Sequence, residues 1–112
     1  MTISYNNADI VLTTAAATVA SVGFNSTALF TKATATNTDI VAHTIKLYRV
    51  INGGTASASN QIGGNVDYPV PAGGTITIPL AGHTLVNSQM LQALADINSV
   101  VNLSVSYTQI DS

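Results

Sequence analysis

Two histidines and five aspartates are the side chains in this sequence best suited to bind a metal ion or transfer a proton. Their spacing offers one suggestive pair, Asp39 and His43, whereas His83 lies in a predicted turn. A zinc site needs three or four ligands, and the sequence contains no cysteine to supply thiolates. We therefore expect neither a metal site nor a cofactor.

Catalysis by a serine nucleophile is the second kind of chemistry considered, because serine is common here. The sequence has no Gly-x-Ser-x-Gly motif, and a Ser-His-Asp set drawn from a serine-rich chain carries no information. Catalytic carboxylates would have to flank a cleft, whereas these aspartates lie in or beside predicted turns and termini. Gly63-Gly64 lacks the Gly-Lys-Ser/Thr of a phosphate-binding loop. We predict that the protein is not an enzyme.

The composition favours a protein that works inside an assembly. Charged residues make up 7% of the chain, against roughly 25% in typical soluble proteins. A formal net charge of −2 gives weak self-repulsion, and such surfaces tend to associate. Three basic residues are too few for phosphate contacts, so we expect no nucleic-acid partner. Residues 10–31 are uncharged but too rich in Thr, Ser and Asn to span a membrane, so we expect no membrane partner.

The clearest strand pattern lies near the end of the chain, in residues 100–110. Val101, Leu103, Val105 and Tyr107 alternate with small polar residues, which is typical of a strand with one face on a core. Other predicted strands are Ser26–Asn37, Val41–Ile51 and Thr75–Leu80. Because turn signals recur roughly every 8–12 residues, we predict an all-β fold. The expected architecture is an antiparallel β-sandwich or jelly roll of about seven or eight short strands with little helix.

In two of these predicted strands the alternation defines which side chains should face the core. In Ser26–Asn37 we expect one uniform alternation, with Leu29 and Ala33 on one face and Phe30 on the other. In Val41–Ile51 strict alternation would place Arg49 inward beside Ile45 and Leu47. We therefore expect either a bulge near Tyr48–Arg49 or a strand that leaves the core there.

The segment Met90–Ile97 fits two structures. It could be a two-turn helix that begins after an N-cap at Asn87-Ser88. Its alternation favours a strand, which a turn at Asp96–Ser99 would join to the last strand as a hairpin.

Several polar and aromatic residues are candidates for contact with a partner. We predict an N-terminal arm of residues 1–9 before a single β-sandwich domain of residues 10–112. The arm either frays or docks on a neighbour through Ile3 and Tyr5. Tyr48 is expected on the outer face of its strand and Tyr68 near an edge, where exposed tyrosines suit either a protein interface or a sugar-stacking platform. The full set of candidate contact residues is Ile3, Tyr5, Asn6, Tyr48, Asn52, Asn60 and Tyr68, with Asn52 and Asn60 in the predicted loop Asn52–Asn65.

From residue 26 to residue 111 the sequence resembles small virion proteins of tailed bacteriophages. The resemblance depends on a recurring order of short strand and turn motifs. These motifs are Ala35-Thr36-Asn37-Thr38, Thr44-Ile45-Lys46-Leu47-Tyr48, Pro71-Ala72-Gly73-Gly74-Thr75, Leu80-Ala81-Gly82-His83-Thr84-Leu85 and Asn102-Leu103-Ser104-Val105-Ser106. One departure is Val86-Asn87-Ser88-Gln89, where the family pattern would have a Gly-Asp turn.

The resemblance implies a β-sandwich or jelly-roll protein of the capsid decoration, or cement, type. Its expected partners are the major capsid protein and further copies of itself, as a dimer or trimer. It would be synthesised in the host cytoplasm and end on the capsid surface of the virion. The alternatives are a minor head-tail or tail component and a carbohydrate- or host-binding module.

Overall fold

The computed structural model describes residues 1–51, 53–62 and 67–111. Its strands are β1 (Thr2–Val11), β2 (Ala17–Ser21), β3 (Ser26–Asn37), β4 (His43–Val50), β5 (Tyr68–Val70), β6 (Thr75–Thr77), β7 (Thr84–Val86), β8 (Met90–Ala95) and β9 (Val101–Asp111). A single turn of 3₁₀ helix, Ala58–Asn60, lies between β4 and β5. Within the described ranges, no helix is both long and apolar enough to cross a membrane.

The strands form two antiparallel sheets with the order of a jelly roll. The first sheet runs β1-β9-β3-β6, with β7 also paired to β3, and the second runs β2-β8-β4-β5. β6 pairs with one half of β3 and β7 with the other, so the two are halves of one interrupted strand. With that interruption taken into account, the order of strands in each sheet is the jelly-roll order. The predicted fold class is confirmed.

β9 lies between β1 and β3 and carries much of the core. Val101, Leu103 and Val105 are fully buried, as their alternation predicted, and pack in one cluster with inward residues of the second sheet such as Leu47 and Leu91. Full burial of one such side chain contributes about 1.5–3 kcal/mol. The two sheets are therefore held together by their facing apolar residues.

The alternation of β3 changes phase at a bulge around Thr31. The register of β3 against β9 shifts between Phe30 and Lys32, so that Phe30 is buried before the shift and Ala33 after it. The predicted uniform alternation is wrong, because one inserted residue moves every later side chain to the opposite face. The bulge leaves Leu29 on the outer face of the first sheet.

β4 pairs with β8 in unbroken register as far as Val50, so the bulge predicted near Tyr48–Arg49 is wrong. The alternative, that the strand leaves the core there, is wrong as well, because Val50 is fully buried. Arg49 lies opposite the buried Leu91 and therefore points between the sheets. Tyr48 is 6% exposed, and its predicted exposure is also wrong. The reason is that residues 61–62 return alongside β4, with a bridge between Tyr48 and Gln61.

The N-terminal residues are part of the first sheet. β1 pairs with β9 from Thr2, opposite Asp111, to Val11, opposite Asn102. A frayed terminus is therefore wrong for this segment, because its backbone is hydrogen-bonded to a central strand. The division into an arm of residues 1–9 and a domain of residues 10–112 stays a prediction.

The segment Met90–Ala95 is β8, which confirms a strand and not a helix. The expected helix N-cap is instead a turn in which Asn87 and Ser88 have φ values of 49° and 68°. The backbone N–H of Gln89 donates to the Val86 carbonyl at 3.2 Å, so a tight turn carries the chain from β7 in the first sheet to β8 in the second. The predicted hairpin of β8 with β9 is wrong, because β8 lies in the second sheet and β9 is flanked by β1 and β3.

Candidate partner-binding surface

An apolar patch lies on the outer face of the first sheet, at the end where β3 begins. Directly paired residues of an antiparallel sheet point to the same face, so the register defines the patch. One row runs Ile3, Ile110, Thr27 and Val86, and the next runs Tyr5, Thr108, Leu29 and Thr84. We call the five apolar members the outer patch: Ile3, Tyr5, Leu29, Val86 and Ile110.

Much of the outer patch is accessible to solvent. Tyr5 is 85% exposed, Ile3 50%, Leu29 41% and Val86 37%. Scattered single apolar residues are normal on protein surfaces, whereas a contiguous group drawn from four neighbouring strands is a candidate interaction surface. Tyrosine beside aliphatic residues is also the composition that interface centres favour.

The usual polarity of β1 and β9 is reversed at this end of the sheet. Inward-facing side chains of β1 and β9 are polar here, and they bond to one another. Asn6 Nδ2 donates to Ser4 Oγ at 3.1 Å, and Gln109 Nε2 and Ser26 Oγ both donate to Asp111 Oδ1, at 3.0 and 2.6 Å. The hydrogen bond from Ser26, followed by that from Gln109, lowers the pKa of Asp111. On β1 and β9 the apolar side chains of this end therefore face outward, whereas Ala28 and Leu85 of β3 and β7 face the core.

The other half of the same outer face carries more polar side chains. Asp9, Thr34, Thr36, Asn102 and Ser104, together with the apolar Ile10, Val11 and Leu103, line a depression of about 390 Å³ there. Thr36 and Thr75 bring their hydroxyls within 2.9 Å of each other, and Ser106 Oγ donates to Asn7 Oδ1 at 2.7 Å. An apolar area beside such a hydroxyl- and amide-rich surface matches the apolar centre and polar rim of protein interfaces.

β1 is the edge strand of the first sheet in the described part of the chain. An edge strand can accept a strand of another chain through its free backbone groups. Because Ile3 and Tyr5 lie on β1, the outer patch reaches this edge. A partner could therefore contact the face and the edge together.

The structure brings together only part of the predicted contact set within the residues it describes. Ile3 and Tyr5 lie in the outer patch, whereas Asn6 points inward and Tyr48 is buried. Tyr68 is half-buried against the core. Neither Tyr48 nor Tyr68 is an open stacking platform, which removes the observation expected for a sugar-binding module.

The two remaining predicted residues belong to the loop after β4. Asn60 holds that loop, since its Oδ1 accepts from the Ser57 backbone N–H and its Nδ2 donates to the Thr55 carbonyl, both at 2.9 Å. Asn52 lies outside the described residues, as do Gly63-Gly64. Asn60 therefore has a local structural role that its sequence position did not indicate.

Leu29, Val86 and Ile110 are the members of the outer patch that the sequence analysis missed. Leu29 faces outward only because of the bulge at Thr31, which nothing in the sequence marks. Val86 is the last residue of β7 and Ile110 the last but one of β9. Their common face follows from pairings between distant parts of the chain.

His43 binds two carboxylates, one on each ring nitrogen. Its Nε2 lies 2.8 Å from Asp39 Oδ2, as the sequence suggested, and its Nδ1 lies 2.9 Å from Asp96 Oδ1. The hydrogen bond with Asp39 raises the pKa of His43, and the charge of Asp96 raises it further. The hydrogen bond from His43, followed by that from the backbone N–H of Ile40, lowers the pKa of Asp39.

This arrangement is a clamp between two turns. A protonated imidazole that donates from both nitrogens has no lone pair for a metal. Among the described residues, no group of three or more His, Cys, Asp or Glu could hold a metal ion. His43 therefore joins the turn after β3 to the turn after β8.

Comparisons with known proteins show the fold and no family. No family model matches the sequence, and no curated protein matches it. A chain from a structure described as Bacillus endospore appendages, a family of disulfide-linked pili, matches with a TM-score of 0.56 and 10% identity. The match covers 98% of this chain and 87% of that one. At this identity it shows a shared fold alone, and this sequence has no cysteine for a disulfide.

A second similar chain comes from the capsid asymmetric unit of the cyanophage Pam1. It is 21% identical over 96% of this chain and 83% of that one, with a TM-score of 0.39. That score is too low to carry an argument. Both similar chains are parts of structural assemblies, a pilus and a capsid.

Proposed function

We propose that this protein is a non-enzymatic structural component of a bacteriophage virion that binds the outside of the capsid and stabilises the shell. The observation that carries the proposal is the outer patch, an apolar area with an 85% exposed tyrosine on a folded jelly-roll domain. A domain whose apolar side chains face solvent, although its core is complete without them, is suited to bury that area on another protein. The resemblance to phage decoration proteins directs the choice of partner.

The outer patch is the surface that contacts the major capsid protein in this proposal. None of its five members is charged, so burial costs little desolvation of charge. The polar half of the face would form the rim, where hydroxyls and amides exchange water for partner groups. Binding would hold neighbouring capsid subunits together by adding interface area across them.

Self-association would multiply this contact. We propose that the protein acts as a dimer or trimer, because linked copies convert later binding events into intramolecular ones and raise the overall affinity. A weak charge of −2 per chain opposes such association little. The place of action is the capsid surface of the virion, after synthesis in the host cytoplasm.

Sedimentation with capsids assembled without the protein tests this proposal. Purified protein is mixed with such capsids at increasing ratios, and the bound fraction and the heat resistance of the shells are measured. Saturation at a fixed number of copies per shell, with raised heat resistance, would support the capsid function. Absence of binding would overturn it, and tail assembly and glycan binding would then be examined.

A further inference from the structure

A second feature of the molecule, independent of the outer patch, is a cleft at the end of β4. Arg49 points between the sheets there and meets His83 in the turn before β7. The cleft has a volume of about 370 Å³ and is lined by Arg49, Ser59, Asn60, Gln61, Ile62 and His83. Clefts of roughly 300–1,000 Å³ are the size that holds small ligands.

The hydrogen bond between Arg49 and His83 has one possible direction. Arg49 Nη2 lies 3.0 Å from His83 Nδ1. Because a guanidinium stays protonated and accepts no hydrogen bond, Nδ1 must be the acceptor. The proton of a neutral His83 ring is then on Nε2, and that N–H has no protein acceptor in the described ranges. His83 thus orients the guanidinium and can add a donor of its own.

Arg49 has no acidic partner among the residues that the structure describes. Its Nε is buried and has no hydrogen-bond partner within those residues. Among the described residues the ion pairs involve His43 and Lys46, and none involves Arg49. A buried donor without an acceptor is destabilising, and more so when the group is charged. An acceptor brought by another molecule would therefore gain a charged donor that the protein has left without an acidic partner in its described part.

We propose that this cleft binds a carboxylate group, with the Arg49 guanidinium as the main donor. A guanidinium presents its N–H groups in a planar fork that matches the two oxygens of a carboxylate. The cleft has one fixed cation, which suits a single negative charge. The carboxylate belongs either to a small organic acid or to an acidic side chain of a partner protein, and the experiment separates these sources.

NMR titration of the intact protein tests the proposal, with the Arg49 Nε–H signal as the reporter. Propionate supplies the small organic acid with a single negative charge, an N-acetylated aspartyl peptide amide supplies the side-chain carboxylate, and sodium chloride at equal ionic strength is the control. A saturable shift with propionate identifies a small-acid site, and one with the peptide alone identifies a partner's side chain. No saturable shift with either probe up to about 50 mM, far above the Kd of a millimolar ligand, would overturn the proposal.

Matched variants separate the cleft from general charge attraction. For the variants the reporters are the backbone amide signals of Asn60 and Gln61, which line the cleft. By that readout Arg49→Gln is expected to weaken binding at least about tenfold, the usual effect of losing a charge-assisted hydrogen bond. Lys32→Gln removes the same charge from an exposed position outside the cleft and should leave the Kd unchanged. An equal loss in both variants would contradict a specific site. If Arg49→Gln does not fold, the wild-type titration decides alone.

Discussion

Replacing Tyr5 by threonine removes the most exposed aromatic ring of the outer patch and keeps a residue that favours strands. Tyr5 is 85% exposed and lies opposite Thr108 on β9. Because its side chain makes few contacts within the fold, we expect the free energy of unfolding to change by less than about 0.5 kcal/mol. The effect should fall on binding to the capsid.

The size of that effect follows from the exposed area. An aromatic side chain buries about 150–250 Å², so burial of the 85% that is exposed would remove about 170 Å² from water. At about 25 cal/mol per Å² this corresponds to about 4 kcal/mol, of which ordering and desolvation at the interface offset about half. A remaining loss of about 2 kcal/mol raises the Kd about thirtyfold.

Competition sedimentation against labelled wild-type protein on the same capsids measures this change. Ile40→Thr is the matched control, since Ile40 is 93% exposed but lies in the turn at the opposite end of β3. We expect Tyr5→Thr to displace the labelled protein less well than wild type does, and Ile40→Thr to displace it equally well. Both variants should have the urea-denaturation midpoint of the wild type. Equal affinity of Tyr5→Thr and wild type would refute the assignment of the outer patch as the capsid contact.

Three further predictions concern the fold. Leu103→Ala, at a fully buried site, should lower the free energy of unfolding by about 3 kcal/mol in urea titrations, whereas Asn102→Ala beside it should have little effect. Asn37→Ala should cost about 2 kcal/mol, because this buried amide donates to two backbone carbonyls and accepts from the Asp39 N–H; a neutral result would contradict that role. The pKa of His43 is raised in the folded state, so protonated His43 stabilises the fold. This contribution to the free energy of unfolding is complete below the ordinary histidine pKa of about 6.5. It is lost as the pH rises through the pKa of the folded state. The lowered pKa of Asp39 adds a contribution that is lost as the pH falls through its folded value. The melting temperature of the wild type should therefore fall as the pH rises through the pKa of folded His43, and His43→Gln should remove this fall. The same dependence of melting temperature on pH in both proteins would contradict the clamp.

The strands were predictable where one face is apolar and the other polar. β9 alternates without interruption from Val101 to Tyr107, and its buried face follows directly from that pattern. In β3 the bulge at Thr31 leaves no mark in the sequence, because threonine fits both regular and bulged strands. The outward direction of Leu29, and with it the width of the outer patch, could not be derived from the sequence.

Contacts between residues distant in sequence account for the other features that the sequence did not predict. The pairing of His43 with Asp39 was visible because the residues are close in sequence, but Asp96 joins them only through the fold. Arg49 meets His83 for the same reason. Tyr48 alternates like an exposed residue and is buried because the loop after β4 returns beside it. Alternation alone does not contain this information.

Thiol accessibility on saturated capsids would test the capsid contact most directly. The sequence contains no cysteine, so Tyr5→Cys and Ile40→Cys each introduce a single reactive thiol. Maleimide labelling rates are compared for the free protein and for the protein bound to capsids. The proposal predicts strong protection of the thiol in Tyr5→Cys and unchanged labelling in Ile40→Cys. Equal labelling of Tyr5→Cys in the free and bound states would show that the outer patch does not contact the capsid.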